Sequence, residues 1–177
     1  MTDATIKGGA AQVDCPEVEN PAFVAPKPLH QAKVAIVTSA SLHHEDDEDF
    51  APSDTGFRVL ERNRRDITVG HWSPNFDASG VAADLNVVFP IDRLEELADN
   101  GTIGSVANVH LAYAGNQFDL SGIRLDGAPA GAQLLKDHEV DVVLLEEPDN
   151  IFTEFQSAYN GDRSTLLVEY GDYYNEK

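Results

Sequence analysis

Short, uninterrupted runs of apolar and β-branched residues recur along the chain and are separated by stretches with helical spacing. The runs lie at 33–39, 106–113, 140–145 and 165–169. A continuous apolar run of this length is typical of a strand that is buried on both faces of a parallel sheet. Apolar spacing near 3.6 predicts helices over 91–101, 129–138 and 150–159. The alternation predicts an α/β fold, a three-layer sandwich with a mostly parallel central sheet of Rossmann or flavodoxin type.

The segments on either side of this alternation differ from it in composition. Residues 1–32 contain four prolines and no sustained period, which predicts an extended N-terminal arm. Residues 33–170 are predicted to form a single α/β domain, and residues 171–177 an acidic C-terminal tail. Weaker apolar runs at 57–60 and 67–69 predict peripheral strands.

The charge balance limits the partners that the chain can have. The formal net charge is −19, from 31 acidic and 12 basic residues, so we expect no nucleic-acid partner. No apolar run approaches the ~20 residues that cross a bilayer, and the N-terminus lacks a signal-peptide pattern, so we expect no membrane association and a cytoplasmic location. The sequence has neither a phosphate loop nor a Gly-rich dinucleotide fingerprint, so no nucleotide cofactor is predicted.

Ligands of open parallel sheets bind outside the carboxyl ends of the strands. Three segments follow predicted central strands, namely 39–50, 114–119 and 146–150. The first carries His43 and His44, followed by five consecutive acidic residues. Because imidazoles and carboxylates are ligands of Fe, Zn and Mn, a divalent metal is the predicted cofactor. The predicted ligands are His43, His44, His71 and Glu146. A solvated acidic loop is the alternative.

Five polar residues have both a functional and a structural interpretation. His71 is either a site residue or a hydrogen-bonded structural histidine, and Asp84 can orient a loop or a histidine. His110 lies in an apolar run, so a core histidine and a functional one both fit. Glu146 and Glu147 are either an acid–base pair or exposed carboxylates.

Three motifs occur in an order that resembles a known family. They are VAIVTSASLH at 34–43, NVVFPIDRLEEL at 86–97 and HLAYAG at 110–115. Together they resemble the selenoprotein B family of the glycine, sarcosine, betaine and D-proline reductases, and most of all its D-proline reductase branch. The resemblance implies substrate contacts from the third motif and its turn, which we assign to Tyr113, Gly115 and Asn116.

The chain departs from this family at two places. The family carries a selenocysteine or cysteine centre after the strand that matches 140–145, whereas this chain continues with Glu146-Glu147-Pro148-Asp149. Its one cysteine, Cys15, lies outside the matching region. In addition, a glycine of the family's first turn is Ser41 here. Thiolate or selenolate chemistry is therefore not expected from this chain alone.

Three functional hypotheses follow. The first is a divergent reductase-family enzyme that acts on a small amino-acid-like or amine substrate through His43, His71, Asp84 and Glu147, with or without a metal. The second is a non-catalytic accessory or binding subunit of the same fold. The third is a reductase half that borrows thiols from another subunit. The first predicts bound metal, the second a stable homo-oligomer or partner complex, and the third a thiol-bearing partner subunit.

Overall fold

The computed structural model describes residues 26–72, 76, 78–115, 117 and 119–146, together with the backbone of 167–169. Most of the predicted arm, the predicted helix at 150–159 and the acidic tail lie outside these residues. No helix in the described ranges is long and apolar enough to cross a membrane.

Within the described residues, eight strands form two sheets. They are β1 (Lys33–Thr38), β2 (Leu42–His44), β3 (Phe57–Glu61), β4 (Ile67–Val69), β5 (Ser105–Val106), β6 (Val109–Tyr113), β7 (Val142–Glu146) and β8 (Leu167–Glu169). The central sheet has the order β3-β6-β1-β7-β8, and β5 pairs with the start of β1. Every pairing in it is parallel except that of β3 with β6. The predicted mostly parallel sheet is thereby confirmed.

The helical segments cover both faces of this sheet. They are a 3-10 turn (Leu29–Gln31), α1 (Ala78–Ala83), a 3-10 turn (Leu85–Val87), α2 (Ile91–Asp99), a π turn (Ile123–Gly127) and α3 (Ala128–Asp137). The crossover from β1 to β6 carries α1 and α2 on one face, and the crossover from β6 to β7 carries α3 on the other. The chain therefore forms the predicted three layers.

The apolar run of β1 reflects burial on both faces. Ala35 and Val37 pack into the core beneath α3, whereas Val34 and Ile36 pack into the core beneath α2. Because side chains alternate between the faces of a strand, a strand covered by helices on both sides needs apolar residues at every position.

The predicted strand at 106–113 is two strands, because the pairing register with β1 shifts by two residues between Val34↔Val106 and Val37↔Leu111. The side chain of His110 bridges the gap, and its Nδ1 accepts the Ile36 N–H at 2.9 Å. A histidine therefore replaces a backbone acceptor in the middle of the sheet.

Candidate functional site

The second sheet lies at the carboxyl ends of β1 and β6. The segment after β1 was expected to be a loop, but its first part forms β2, which pairs antiparallel with β4. Ser41 N–H donates to Tyr113 O at 3.0 Å and so ties the start of β2 to the end of β6. Adjacent side chains in a strand point to opposite faces, so His43 and His44 face away from each other.

The His43 ring is buried, with 3% of the residue exposed. Its Nε2 lies 3.1 Å from the carboxylate of Asp49, and its Nδ1 lies 3.4 Å from Ser41 O. Phe50 packs edge-on against the ring. A Cβ at Gly70 would come within 3.2 Å of His43 Cε1, so glycine leaves room for the ring there. Each ring nitrogen of His43 thus lies near a protein oxygen, and the oxygen beside Nε2 belongs to the exposed carboxylate of Asp49.

His44 has a structural environment. Its Nε2 accepts the Glu61 N–H at 3.1 Å, and its Nδ1 faces the Asp66 carboxylate at 3.5 Å. Arg64 also bonds to Asp66, and this hydrogen bond lowers the pKa of Asp66 to about 2. Because both of its ring nitrogens face protein groups, His44 is not placed to share an ion with His43.

His71 follows β4 and is half-buried. Its ring stacks on Phe76, with centroids 4.2 Å apart and planes at 14°. A Cβ on Gly115 would lie 2.4 Å from His71 Nε2 and 2.5 Å from Ser39 O. Such distances are shorter than van der Waals contact, so only glycine at position 115 allows the imidazole to lie there. Gly115 therefore acts through its lack of a side chain.

These contacts occur at the carboxyl ends of β1 and β6. Beyond the two strands, Ala40 and Ala114 form a bridge, and Ser39, Gly115 and His71 meet beside it. Ligands of open α/β sheets bind outside the carboxyl ends of the strands, above all where the strand order reverses. In the order β6-β1-β7-β8 this reversal lies between β1 and β7, where Thr38 contacts Glu146, so the contacts of His71 lie one strand away from it.

Each of the two imidazoles contacts an aromatic side chain. Phe50 contacts His43 and Phe76 contacts His71. Trp72 follows His71, is 53% exposed and donates its Nε1–H to Phe50 O at 3.1 Å. No local sequence pattern marks Trp72 or Phe76 as site residues, because their proximity to the imidazoles depends on the pairing of β2 with β4.

Tyr113 was expected to contact a substrate, but the structure places it in the core. It is 0% exposed, its hydroxyl donates to Gly127 O at 3.0 Å, and its ring packs on Phe57. Burial raises the pKa of Tyr113. His110 is also 0% exposed and packs edge-on against Phe89. Of the two interpretations of His110, the core histidine is the one observed.

Asp84 was expected to be catalytic, but it orients a loop. Its Oδ1 accepts both the backbone N–H and the side-chain Nδ2–H of Asn86 at 2.9 Å, and these bonds lower the pKa of Asp84. Asn86 in turn accepts the Asp92 N–H at 3.1 Å. The first turn of α2 is therefore capped by Asn86, because the N-cap residue, Pro90, makes no side-chain hydrogen bond to the helix.

Glu146 ends β7 on the other side of β1. Thr38 donates its hydroxyl to Glu146 Oε2 at 3.0 Å and accepts the Ala40 N–H at 3.1 Å. The remaining two predicted site residues, Glu147 and Asn116, lie outside the described residues. The segment from Thr38 to Ser41 thus contacts Glu146, Gly115 and His43 in turn.

The predicted metal ligands do not fit a single ion. Among the residues that the structure describes, no group of three or more His, Cys, Asp or Glu side chains is arranged to hold one. His44 faces Glu61 and Asp66, and Glu146 is bonded to Thr38. His43 and His71 are imidazoles, which in general can form hydrogen bonds and transfer protons.

The described residues form an α/β protein with a mostly parallel central sheet, and comparison with known proteins identifies its relatives. The D-proline reductase subunit gamma of Acetoanaerobium sticklandii is 32% identical over 150 residues, which cover 82% of this chain and 61% of that protein. The sarcosine reductase complex component B subunit beta of Peptoclostridium acidaminophilum is 28% identical over 133 residues, 71% of this chain and 29% of that protein. The glycine reductase complex component B subunit gamma of Symbiobacterium thermophilum is 28% identical over 125 residues, 67% of this chain and 29% of that protein.

The chain is a homologue of the D-proline, sarcosine and glycine reductase B subunits, as its motif order predicted. It spans less than two thirds of the length of each of these relatives. No protein-family profile matches the chain, and no solved structure matches it.

Proposed function

We propose that this chain is a reductase-family subunit that binds a small amino-acid-like or amine substrate outside the carboxyl ends of β1 and β6. The observation that carries the proposal is the placement of His71 against Gly115 and Ser39 at this end of the sheet, in a homologue of three reductase subunits. The imidazoles of this site would accept protons from the substrate or donate protons to it.

The side chains near His43 and His71 favour a cationic amine. Imidazole is the side chain whose ordinary proton affinity suits acid–base work near neutral pH. The aromatic faces of Phe76 and Trp72 attract cations, and the Asp49 carboxylate lies beside His43. The net charge of −19 opposes an anionic ligand.

The electrons of a reduction would have to come from another chain. The only cysteine of the sequence is Cys15, and Glu146-Glu147-Pro148-Asp149 stand where the resemblance implies a redox centre. The names of the three relatives describe subunits of reductases or of their complexes. A thiol-bearing partner subunit that acts on a substrate held here is consistent with both facts.

A non-catalytic accessory subunit is the second candidate. It is favoured by the loss of the redox centre and by the structural contacts of His44, Asp84 and Tyr113, three of the predicted site residues. This subunit would use the same fold to assemble with partners without binding a small substrate.

Calorimetric titration with a panel of D- and L-amino acids and simple amines separates the two candidates. We expect one class of amine to bind the wild type, with at least about tenfold weaker binding to His71→Gln, which removes one charge-assisted hydrogen bond. His138→Gln, at the end of α3 and at the opposite edge of the sheet, should bind like the wild type. A panel without any binding would contradict the proposal and favour the accessory subunit.

A further inference from the structure

Ser41 has a backbone conformation that serine rarely adopts. Its φ is 55°, in the left-handed region, and it is fully buried. Glycine enters this region freely, whereas an L side chain brings its Cβ close to the following carbonyl oxygen. The family motif that this turn resembles has glycine at this position. A serine that replaces it therefore requires a compensating contact.

Every polar group of Ser41 has a partner near the site. Its N–H donates to Tyr113 O at 3.0 Å, and its carbonyl accepts the Gly70 N–H at 2.9 Å. The same carbonyl lies 3.4 Å from His43 Nδ1. Its hydroxyl accepts the Gly115 N–H at 3.0 Å.

The hydroxyl is the contact that a glycine cannot supply. With glycine at position 41, the backbone bonds to Tyr113 and Gly70 would persist, but the buried Gly115 N–H would lose its acceptor. Gly115 is also the residue against which His71 Nε2 lies. The position of this imidazole therefore depends on the turn that the Ser41 hydroxyl holds.

We infer that Ser41 is a positioning residue that joins the two imidazoles of the site. Its carbonyl orients the His43 ring. Its hydroxyl stabilises the turn at Gly115 and so determines the position of the His71 ring. The inference rests on the proposed function only in treating these imidazoles as functional, since the contacts themselves do not depend on it.

Two substitutions separate the hydroxyl from the backbone conformation. Ser41→Gly removes the hydroxyl and relieves the left-handed serine, whereas Ser41→Ala removes the hydroxyl and keeps the strain. We expect Ser41→Gly to melt within a few degrees of the wild type. Even so, its Gly115 amide should exchange with solvent about tenfold faster, because one buried hydrogen bond is lost. Ser41→Ala should show the faster exchange together with a clear loss of stability.

Nuclear magnetic resonance gives a readout that a purely structural role would not change. In Ser41→Gly the imidazole resonances of His71 should move, and its titration curve should shift from that of the wild type. The matched control is Glu139→Gly, because Glu139 is the other non-glycine residue with positive φ among the described residues, at 57°. Its side chain is 88% exposed at the far edge of the sheet, so this variant should gain stability and leave Gly115 and His71 unchanged.

The outcomes distinguish this inference from the proposed function. If Ser41→Gly keeps wild-type exchange at Gly115 and wild-type His71 resonances, Ser41 does not position the site. If these signals change while no amine binds the wild type, the positioning role holds and the proposed function fails. If an amine binds and Ser41→Gly weakens it about tenfold with fold stability retained, both hold.

Discussion

The stretch from His110 to Gly115 contains two regions with different tasks. His110 and Tyr113 lie inside β6 and have no exposed surface. His110 accepts a hydrogen bond from Ile36 in the sheet, and Tyr113 donates one to Gly127, which directly precedes α3. Gly115 lies two residues beyond the end of the strand and makes room for His71. One sequence motif is thus divided by the end of a strand into an interior part that specifies the sheet and an edge part that shapes the site.

The contrast between His110 and His71 shows why residue type alone does not reveal function. The Nδ1 of His110 accepts the Ile36 N–H in place of a ladder carbonyl, and its protonation would set two N–H groups against each other. His71 is half-buried at the carboxyl ends of β1 and β6 and stacks on Phe76. The same type of side chain is a structural acceptor in the sheet and, at its edge, the group that we propose to carry protons.

The strongest test of the interior role is His110→Ala. The substitution leaves the Ile36 N–H without an acceptor and opens a cavity beside Phe89, so we expect a loss of about 3 kcal/mol in the free energy of unfolding. Urea unfolding measures this loss in the free energy of unfolding. His110→Asn keeps an acceptor near the position of Nδ1 and should lose less. A loss below about 1 kcal/mol in the alanine variant would show that the ladder does not need this acceptor.

Gly115→Ala tests the edge region. A Cβ there meets His71 Nε2 and Ser39 O, so we expect a loss of about 2 kcal/mol and displaced His71 resonances. Gly80→Ala in α1 is the control, because its Cβ would have nothing within 4 Å, and it should gain up to about 1 kcal/mol from helix propensity. Equal stability of the two variants would contradict the close approach.

The pH dependence of stability tests His110 again. Burial, together with the charge of Arg62, lowers the pKa of His110 to about 3. Between this value and its ordinary pKa of about 6.5, the unfolded chain binds a proton that the folded chain does not, so stability falls as the pH falls. From pH 7 to pH 5 the contribution of His110 should fall by about 2 kcal/mol. The difference between wild type and His110→Asn isolates it, and parallel curves would contradict it.

The smallest expected effect on stability is that of His71→Gln. A half-buried side chain at the edge of the sheet should change the free energy of unfolding by less than about 0.5 kcal/mol. Denaturant unfolding beside His110→Ala gives the comparison directly. A loss as large as that of His110→Ala would make His71 a structural residue and remove the distinction between interior and edge.

Local pattern was sufficient for much of the fold. The apolar runs predicted β1 and β7 to within two residues, and helical spacing predicted α2 and α3. Gly101 follows α2 with a φ of 77°, in the left-handed region that glycine enters freely. Strand β2 and the break between β5 and β6 were not predicted, because β2 is held by its pairing with β4 and the break by the His110 side chain.

The site was predicted less completely for the same reason. His43 and His71 were selected from their positions near strand ends; the structure places His43 in β2 and His71 against Gly115, at the carboxyl ends of β1 and β6. Asp84 and Tyr113 have the expected residue types but bond to a loop and to the core. Ser41 was noted only as a departure from a glycine, because its partner Gly115 is 74 residues away.

By itself, the sequence determined the fold class, the principal strands and the kinship with reductase subunits, since these follow from short-range apolar patterns and local motifs. Only the tertiary structure decided which polar residues lie together at the carboxyl ends of β1 and β6. Hydrogen bonds between distant segments determine that choice, and no local pattern specifies which segments meet.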